Sequence, residues 1–463
     1  MRGAQRSRRR YFVEISVHML RLSALGALIL VSGSLLAQQY TISTIAGTGA
    51  AGSTGNGAPA ISATVYYPQG LALAADGSLY FGQATDHTVR KIDAESGNME
   101  HVAGIGTIGY NGNGGLAADA GLAYPFGLSV NAAGDLLIAE RDAYRIRMIS
   151  AADGTISTFA GTMSPGNNTE VPALSAGLHA PMGVRVRSNG DLLLSVIGNN
   201  YVRYIDGDSM YLHAFAGVGS PVYSGDNGPA TSAGLNQPYD IAEASNGDVY
   251  ICDVNNAATR KVDAISGNIT TVAGLGAGAA AYNGDGIPAT EAALGLPFCI
   301  ALDTNDNLYI SDLQQSRIRR VDANSGLIAT IAGTNTAGFN GDNIAATTAQ
   351  INSPCGMVID AQGRILFADA ANHRIRMLTP VDDTDVNELS GRKPLFAFPS
   401  PASDLLQVRS ALKGTVELVD AHGRVVLIGD LRTDRTTLSV DGLPAGLYTV
   451  RMVGAVPMRV VVH

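Results

Sequence analysis

Through most of the chain, short segments of alternating apolar and polar residues are separated by Gly, Asn and Asp. Around residue 250 the segments read YDIAEA, DVYICD, TRKVD and NITTVAG, with Gly247, the Asn255-Asn256 pair and Ser266-Gly267 between them. A period of two with regular turn signals predicts short strands, not helices. The same pattern returns along the chain. An apolar-Ala-Gly tripeptide begins at Ile45, Val102, Phe159, Phe215, Val272 and Ile331, in steps of 57, 57, 56, 57 and 59 residues. Prolines at 68, 125, 181, 238, 297 and 354 open the following segments, and arginines recur at 90, 147, 203, 260, 319 and 376. Independent columns that keep one period mark an internal repeat.

Four antiparallel strands in a unit of this length form the blade of a β-propeller, so the chain is expected to be all-β with a propeller of six blades. A solenoid would need capping repeats, and none is visible. The register also predicts how the ring closes. The first apolar-Ala-Gly strand, YTISTIAG, precedes the first proline-led strand, and the last unit stops after three strands. The N-terminal strand is therefore expected to complete the last blade, which removes exposed sheet edges. Before each proline lies a loop of about 20 residues, as in YNGDGIPATEAALGLP. Its apolar columns (Ala60, Ala63 and Val65 in the first copy) predict a short helical turn over the blade edge.

Composition sharpens this picture. With 463 residues, 55 glycines and no tryptophan, the chain is too long for one ordinary core. Residues 1–37 have the order of a secretory signal: a basic region, the apolar run LRLSALGALILVSGSLLA, and a cut expected near Ala37. No later segment reaches the length of a membrane span. The remainder has 25 basic against 39 acidic residues, a net of −14, which argues against nucleic acid as a partner. The expected location is outside the cell or on its surface.

Candidate chemistry is sparse. Asp226, Asp285 and Asp342, with Asn113 in the second unit, occupy the NGDG-like turns. Calcium wants six to eight oxygens, and each loop offers about one carboxylate, so a structural turn is expected and a calcium loop is the alternative. An acid recurs after the second strand at Glu140, Asp253, Asp312 and Asp369, with Gln83 and Val196 elsewhere, and is expected to hold the following turn. The Arg column reads as blade-stabilising. His87 and His373 share a column in blades that closure makes neighbours. GxSxG and HExxH are both absent. Two residues break apolar columns of the inner strand, Arg185 and Glu243; with Asp240 they are the candidate binding residues beside the channel. An Arg185–Glu243 ion pair between blades three and four is the simplest expectation. Cys252, Cys299 and Cys355 are expected as unpaired thiols, with a Cys299–Cys355 bond the lesser alternative.

PQGLALAADGSLYFGQATDHTVRKID and its copies, notably PCGMVIDAQGRILFADAANHRIRMLTP, resemble NHL repeats over residues 40–380. The resemblance implies a six-bladed propeller and leaves function open. After a polar linker at 381–394, FPSPASD, DAHGRVV and LPAGLYTVR look like the C-terminal sorting domain of the type IX secretion pathway of Bacteroidota, at 395–463. Ser400 stands where asparagine is usual, and the terminal lysine is missing. This resemblance implies a small β-sandwich, export across the outer membrane, and the secretion machinery as a partner. Together these features suggest a secreted or surface module that binds a protein or glycan without a cofactor. The competing class is a secreted lyase or hydrolase with its site at the channel mouth.

Overall fold

The computed structural model describes residues 38–381 except 277, 279 and 280, and in the C-terminal part 395–398, 405–410, 413–420, 424–432, 435–452 and 458–462. The expected signal segment and linker residues 382–394 lie outside the described residues. Residues 40–380 form six antiparallel sheets, the blades. Blades one to five begin at Leu71, Pro125, Pro181, Pro238 and Pro297, and blade six begins at Pro354. Blade four shows the pattern, with strands Pro238–Glu243, Val249–Asp253, Ala258–Val262 and Asn268–Gly274. They pair in sequence order from the inner to the outer strand. Gly247 turns the first hairpin at φ 86° and Gly267 the last at φ 68°, a region a β-carbon disfavours.

Closure follows the expected register. Tyr40–Ala46 pairs antiparallel with Arg374–Pro380, with Ile42 opposite Leu378. The N-terminal strand is thus the outer strand of blade six, and Tyr40, Ile42 and Ala46 are buried.

Each inner strand faces two neighbours. Ile241 and Ile251 of blade four pack against Leu193 and Val202 of blade three. Ala242, on the opposite face, packs with Ile300 and Ile310 of blade five. The ring is therefore a stack of apolar layers, in which each large buried side chain contributes about 1.5–3 kcal/mol.

The linking loop does more than turn. It runs along the outer edge of the blade it leads into. Val171–Pro172, Gly228–Pro229, Ile287–Pro288 and Ile344–Ala345 pair with the outer strands of blades three to six. Single bridges, Pro59 to Asn98 and Leu116 to Thr155, do the same in blades one and two. A 3-10 turn follows, for example Ala60–Ser62, and its first alanine is buried. The outer edges are covered, which blocks edge-to-edge association.

The Arg column clamps these loops. Arg90 donates to the carbonyls of Thr64 and Thr54 and to Asn56 Oδ1. Arg260, Arg319 and Arg376, all fully buried, donate to Ser224, Gly284 and Gly341 carbonyls. The acid column corrects its expectation in part. Its carboxylates accept backbone N–H groups two residues before the proline that opens the same blade: Ala123 to Glu140, Asn236 to Asp253, Gly295 to Asp312 and Asn352 to Asp369. They therefore hold the incoming loop first. They reach the following turn secondarily, where Asn256 and Asn372 donate to Asp253 and Asp369. The Ala123 and Gly295 N–H groups are buried, so they claim the acceptor.

The C-terminal part forms two sheets. Leu395–Phe398, Leu405–Ser410 and Arg435–Ser439 make one, and Gly414–Val419, Val425–Leu431, Gly446–Met452 and Met458–Val462 the other. Leu406, Val408 and Leu438 from the first pack with Val416, Leu418 and Val450 from the second.

Candidate functional site

Two residues after each blade-opening proline stands Gly70, Gly127, Gly183, Asp240, Cys299 or Gly356. At the glycines the neighbouring inner strands touch. A β-carbon on Gly127 would collide with the Met182 carbonyl, and one on Gly183 would lie 2.6 Å from the Tyr239 carbonyl. Only in blades four and five does the ring admit side chains at this level, and they are an acid and a thiol.

Asp240 is therefore set into the wall of the axial channel. Its Oδ1 accepts the Ile241 N–H at 2.9 Å, and its Oδ2 accepts the Ile300 N–H of the next blade at 3.1 Å. Arg185 Nη2 stands 3.8 Å from Oδ1. Burial pushes the Asp240 carboxyl above the usual carboxylate range, and Arg185 and the two N–H donors oppose that push. Burial also pushes the Cys299 thiol well up, so it is no thiolate nucleophile.

Beside this level aromatic rings cluster. Tyr239 and Phe298 lie 4.5 Å apart between centroids, and Phe126 meets Phe298 edge-on at 5.8 Å. At the level of Asp240 the channel is a neck of about 20 Å³, room for about one water. Below it opens a cavity of about 240 Å³ walled by Leu73, Leu302, Met357, Val358 and Ile359, with Arg185 and Glu243 as its charged groups.

All three candidate binding residues thus line one axial channel, but the expected Arg185–Glu243 pair does not form. Glu243 Oε1 instead accepts from Arg187 Nε at 2.8 Å, and its Oε2 accepts the Ser188 N–H at 2.8 Å. Arg185 donates Nε to the Ile241 carbonyl at 3.1 Å. Arg185 and Glu243 do face each other's blade, since Arg187 and Arg185 of blade three reach Glu243 and the Ile241 carbonyl of blade four. Glu243, at the end of its strand, reaches the hairpin of blade three. Arg185, one step deeper, is drawn to the carbonyl and carboxylate beside it. Arg187 escaped the sequence reading, although it lies two residues from Arg185 and so on the same strand face.

The candidate metal acids are spoken for by arginines. Asp226, Asp285 and Asp342 meet Nη2 of Arg260, Arg319 and Arg376 at 2.6, 3.0 and 3.0 Å. Thr271, Thr330 and Thr44 donate to the same carboxylates. Among the described residues no group of three or more His, Cys, Asp or Glu is gathered. His87 and His373 are each engaged by the following blade, not by one another. Each sits in the left-handed region, at φ 51° and 54°. Each accepts at Nδ1 a backbone N–H from the next blade, Tyr124 at 3.1 Å and Tyr67 at 3.2 Å. Cys252, Cys299 and Cys355 are buried free thiols.

Residues 397–456 match the family described as the secretion system C-terminal sorting domain, and the chain carries that domain. Over 364 residues, 71% of the chain, it is 26% identical to the protein SUPPRESSOR OF QUENCHING 1 of Arabidopsis thaliana. Over 284 residues, 55% of the chain, it is 26% identical to the NHL repeat-containing protein 2 of Bos taurus. The chain spans only 32% and 39% of the length of these relatives. Among solved structures, a Bacteroides thetaiotaomicron protein of unknown function superposes with a TM-score of 0.56 at 17% identity, over 74% of this chain and 76% of that one. An auxiliary nutrient binding protein of Bacteroides ovatus gives 0.54 at 14% identity, over 74% and 78%. The fold is an NHL-type β-propeller followed by a small β domain. No helix among the described residues is long and apolar enough to cross a membrane.

Proposed function

We propose that this chain is an exported binding module, delivered to the outside of the cell by its sorting domain, that holds an extracellular protein or glycan at the axial mouth of the propeller. The observation that carries this is the mouth itself: an apolar wall of about 240 Å³ interrupted by Arg185 and Glu243. Its size is below that of a drug-sized pocket and suits one side chain or one sugar ring of a larger ligand. Arg185 supplies donors to an incoming carboxylate or hydroxyl, and the Glu243–Arg187 bridge fixes the rim. Asp240 does not support the competing hydrolase or lyase, because the neck before it holds about one water, not a substrate. No metal enters the proposal, since Arg260, Arg319 and Arg376 already engage the loop carboxylates.

Two measurements test it. Glycan and peptide arrays probed with the full exported chain should yield a ligand whose affinity falls at least about tenfold in Arg185→Gln, a loss of about 1.4 kcal/mol. Equal binding by wild type and Arg185→Gln would place the ligand elsewhere. Deleting residues 397–456 in the native host should retain the protein inside the cell; its continued appearance outside would overturn the export reading.

A further inference from the structure

The six loop clamps are not equivalent, and blade two stands apart. Arg145 and Arg147 are both buried there, at 1% and 0% exposure, with Glu140 at 0%. Glu140 is engaged by Arg145 Nε and by the Ala123 N–H. Arg147 Nη1 lies 3.7 Å from Glu140, beyond hydrogen-bond reach. Arg147 Nε donates to the Ser157 carbonyl and Arg145 Nη1 to the Tyr110 carbonyl, both at 3.2 Å. Arg147 Nη1 and Nη2 and Arg145 Nη2 are buried without a hydrogen-bond partner; the Nε of Arg260, Arg319 and Arg376 and Nη1 of Arg319 are so too, but each of those guanidiniums meets an aspartate through Nη2. Two buried cations thus share one buried anion.

The other blades show what is missing. In blades four and six the column arginine pairs with two acids, Asp253 and Asp226 in one and Asp369 and Asp342 in the other, and in blade five Arg319 pairs with Asp285. Asp226, Asp285 and Asp342 also accept from a threonine of the outer strand. In blade two that place is taken by Asn113, whose amide meets Thr158 at 3.1 Å and does not bond to Arg147. In blade one, Arg90 lacks an acid but finds neutral acceptors for all its nitrogens. A buried unpaired charge is costly enough that proteins neutralise or pair it. Burial and Arg145 push the Arg147 guanidinium down to about 10, and burial does the same to Arg90.

We infer that blade two holds a small monovalent anion, of chloride size, between Arg147 and Arg145, where blades four, five and six hold an aspartate. The ligand is a structural one: it joins the loop before blade two to its third strand, as Asp226, Asp285 and Asp342 do elsewhere. A halide suits the place because it accepts several N–H donors without needing donors in return. The site lies in the loop clamp and is independent of the axial mouth.

The test is thermal unfolding of the full chain, followed by calorimetry, in sodium chloride and in sodium gluconate at equal ionic strength, so that screening is constant. Chloride should raise the propeller's Tm in a saturable way, as binding to the native state alone requires. Asn113→Asp should melt above wild type in gluconate and gain nothing further from chloride. A crystal soaked in bromide should show anomalous density between the two guanidiniums. Equal wild-type melting in the two salts, a chloride response that survives Asn113→Asp, or water in place of bromide would each overturn the inference. If Asn113→Asp fails to fold, the wild-type melts and the bromide crystal decide.

Discussion

Glu243 of blade four accepts from Arg187 of blade three at 2.8 Å, and both are largely buried at the rim of the axial cavity. This bridge, with the Ser188 N–H on the other oxygen, should be worth more than a surface pair. A double-mutant cycle between Arg187→Leu and Glu243→Gln should give a coupling of about 1–3 kcal/mol. The cycle between Arg185→Leu and Glu243→Gln should be additive within about 0.5 kcal/mol. Chemical denaturation of the four single and double variants measures both.

Closure by the N-terminal strand makes a distant residue part of blade six. Ile42, fully buried against Leu378 and Phe367, should cost about 2–5 kcal/mol on replacement by Ala, the usual range for such a cavity. Ile61, half exposed on the first 3-10 turn, should cost under about 0.5 kcal/mol on the same change. Comparable losses at both positions would mean that the strand is not integral to the fold.

His87 and His373 couple stability to pH. Burial lowers both imidazoles below their ordinary value of about 6.5, and each must be unprotonated at Nδ1 to accept its N–H. A depressed folded value means the unfolded chain binds the proton more readily. Their contribution is therefore fully present above about pH 6.5 and is lost as the pH falls through the lowered folded values. Asn200, in the same column, accepts the Gln237 N–H at 2.9 Å without titrating. The double variant His87→Asn, His373→Asn should match wild type at pH 8 and melt above it at pH 5. Identical melting curves for the two proteins at pH 5 would refute the coupling.

The glycine column can be probed directly. Gly127→Ala would drive a β-carbon into the Met182 carbonyl; backbone cannot yield as a side chain does, so a loss of about 1–3 kcal/mol or more is expected. Cys299→Ala, where the ring already admits a side chain, should cost less. Denaturant midpoints of the two variants give the comparison, and equal losses would show that the ring has no special opening at blade five.

Much of this molecule was legible as a sequence because a repeat turns each structural requirement into a column. The proline, arginine and apolar-Ala-Gly columns determined the blade, the blade count and the N-terminal closure, since strand period and register depend on local alternation. The sorting domain was legible from LPAGLYTVR and its companion motifs, and the fold of its described strands follows. Partners of charged side chains were not legible. Arg185 and Glu243 stood out by breaking their columns, but a difference of one hairpin step decided that Glu243 meets Arg187 and Arg185 meets Asp240. The acid column hid in the same way: Asp253 and Asp369 reach loop N–H groups 17 residues upstream, a distance no local pattern encodes. The glycine column was present in the sequence all along, with Asp240 and Cys299 as its two exceptions. Only the packed ring shows that a glycine there means strand touching strand, and that an acid there means a place in the channel wall, because van der Waals contact between adjacent blades is a property of the closed fold and not of any one blade.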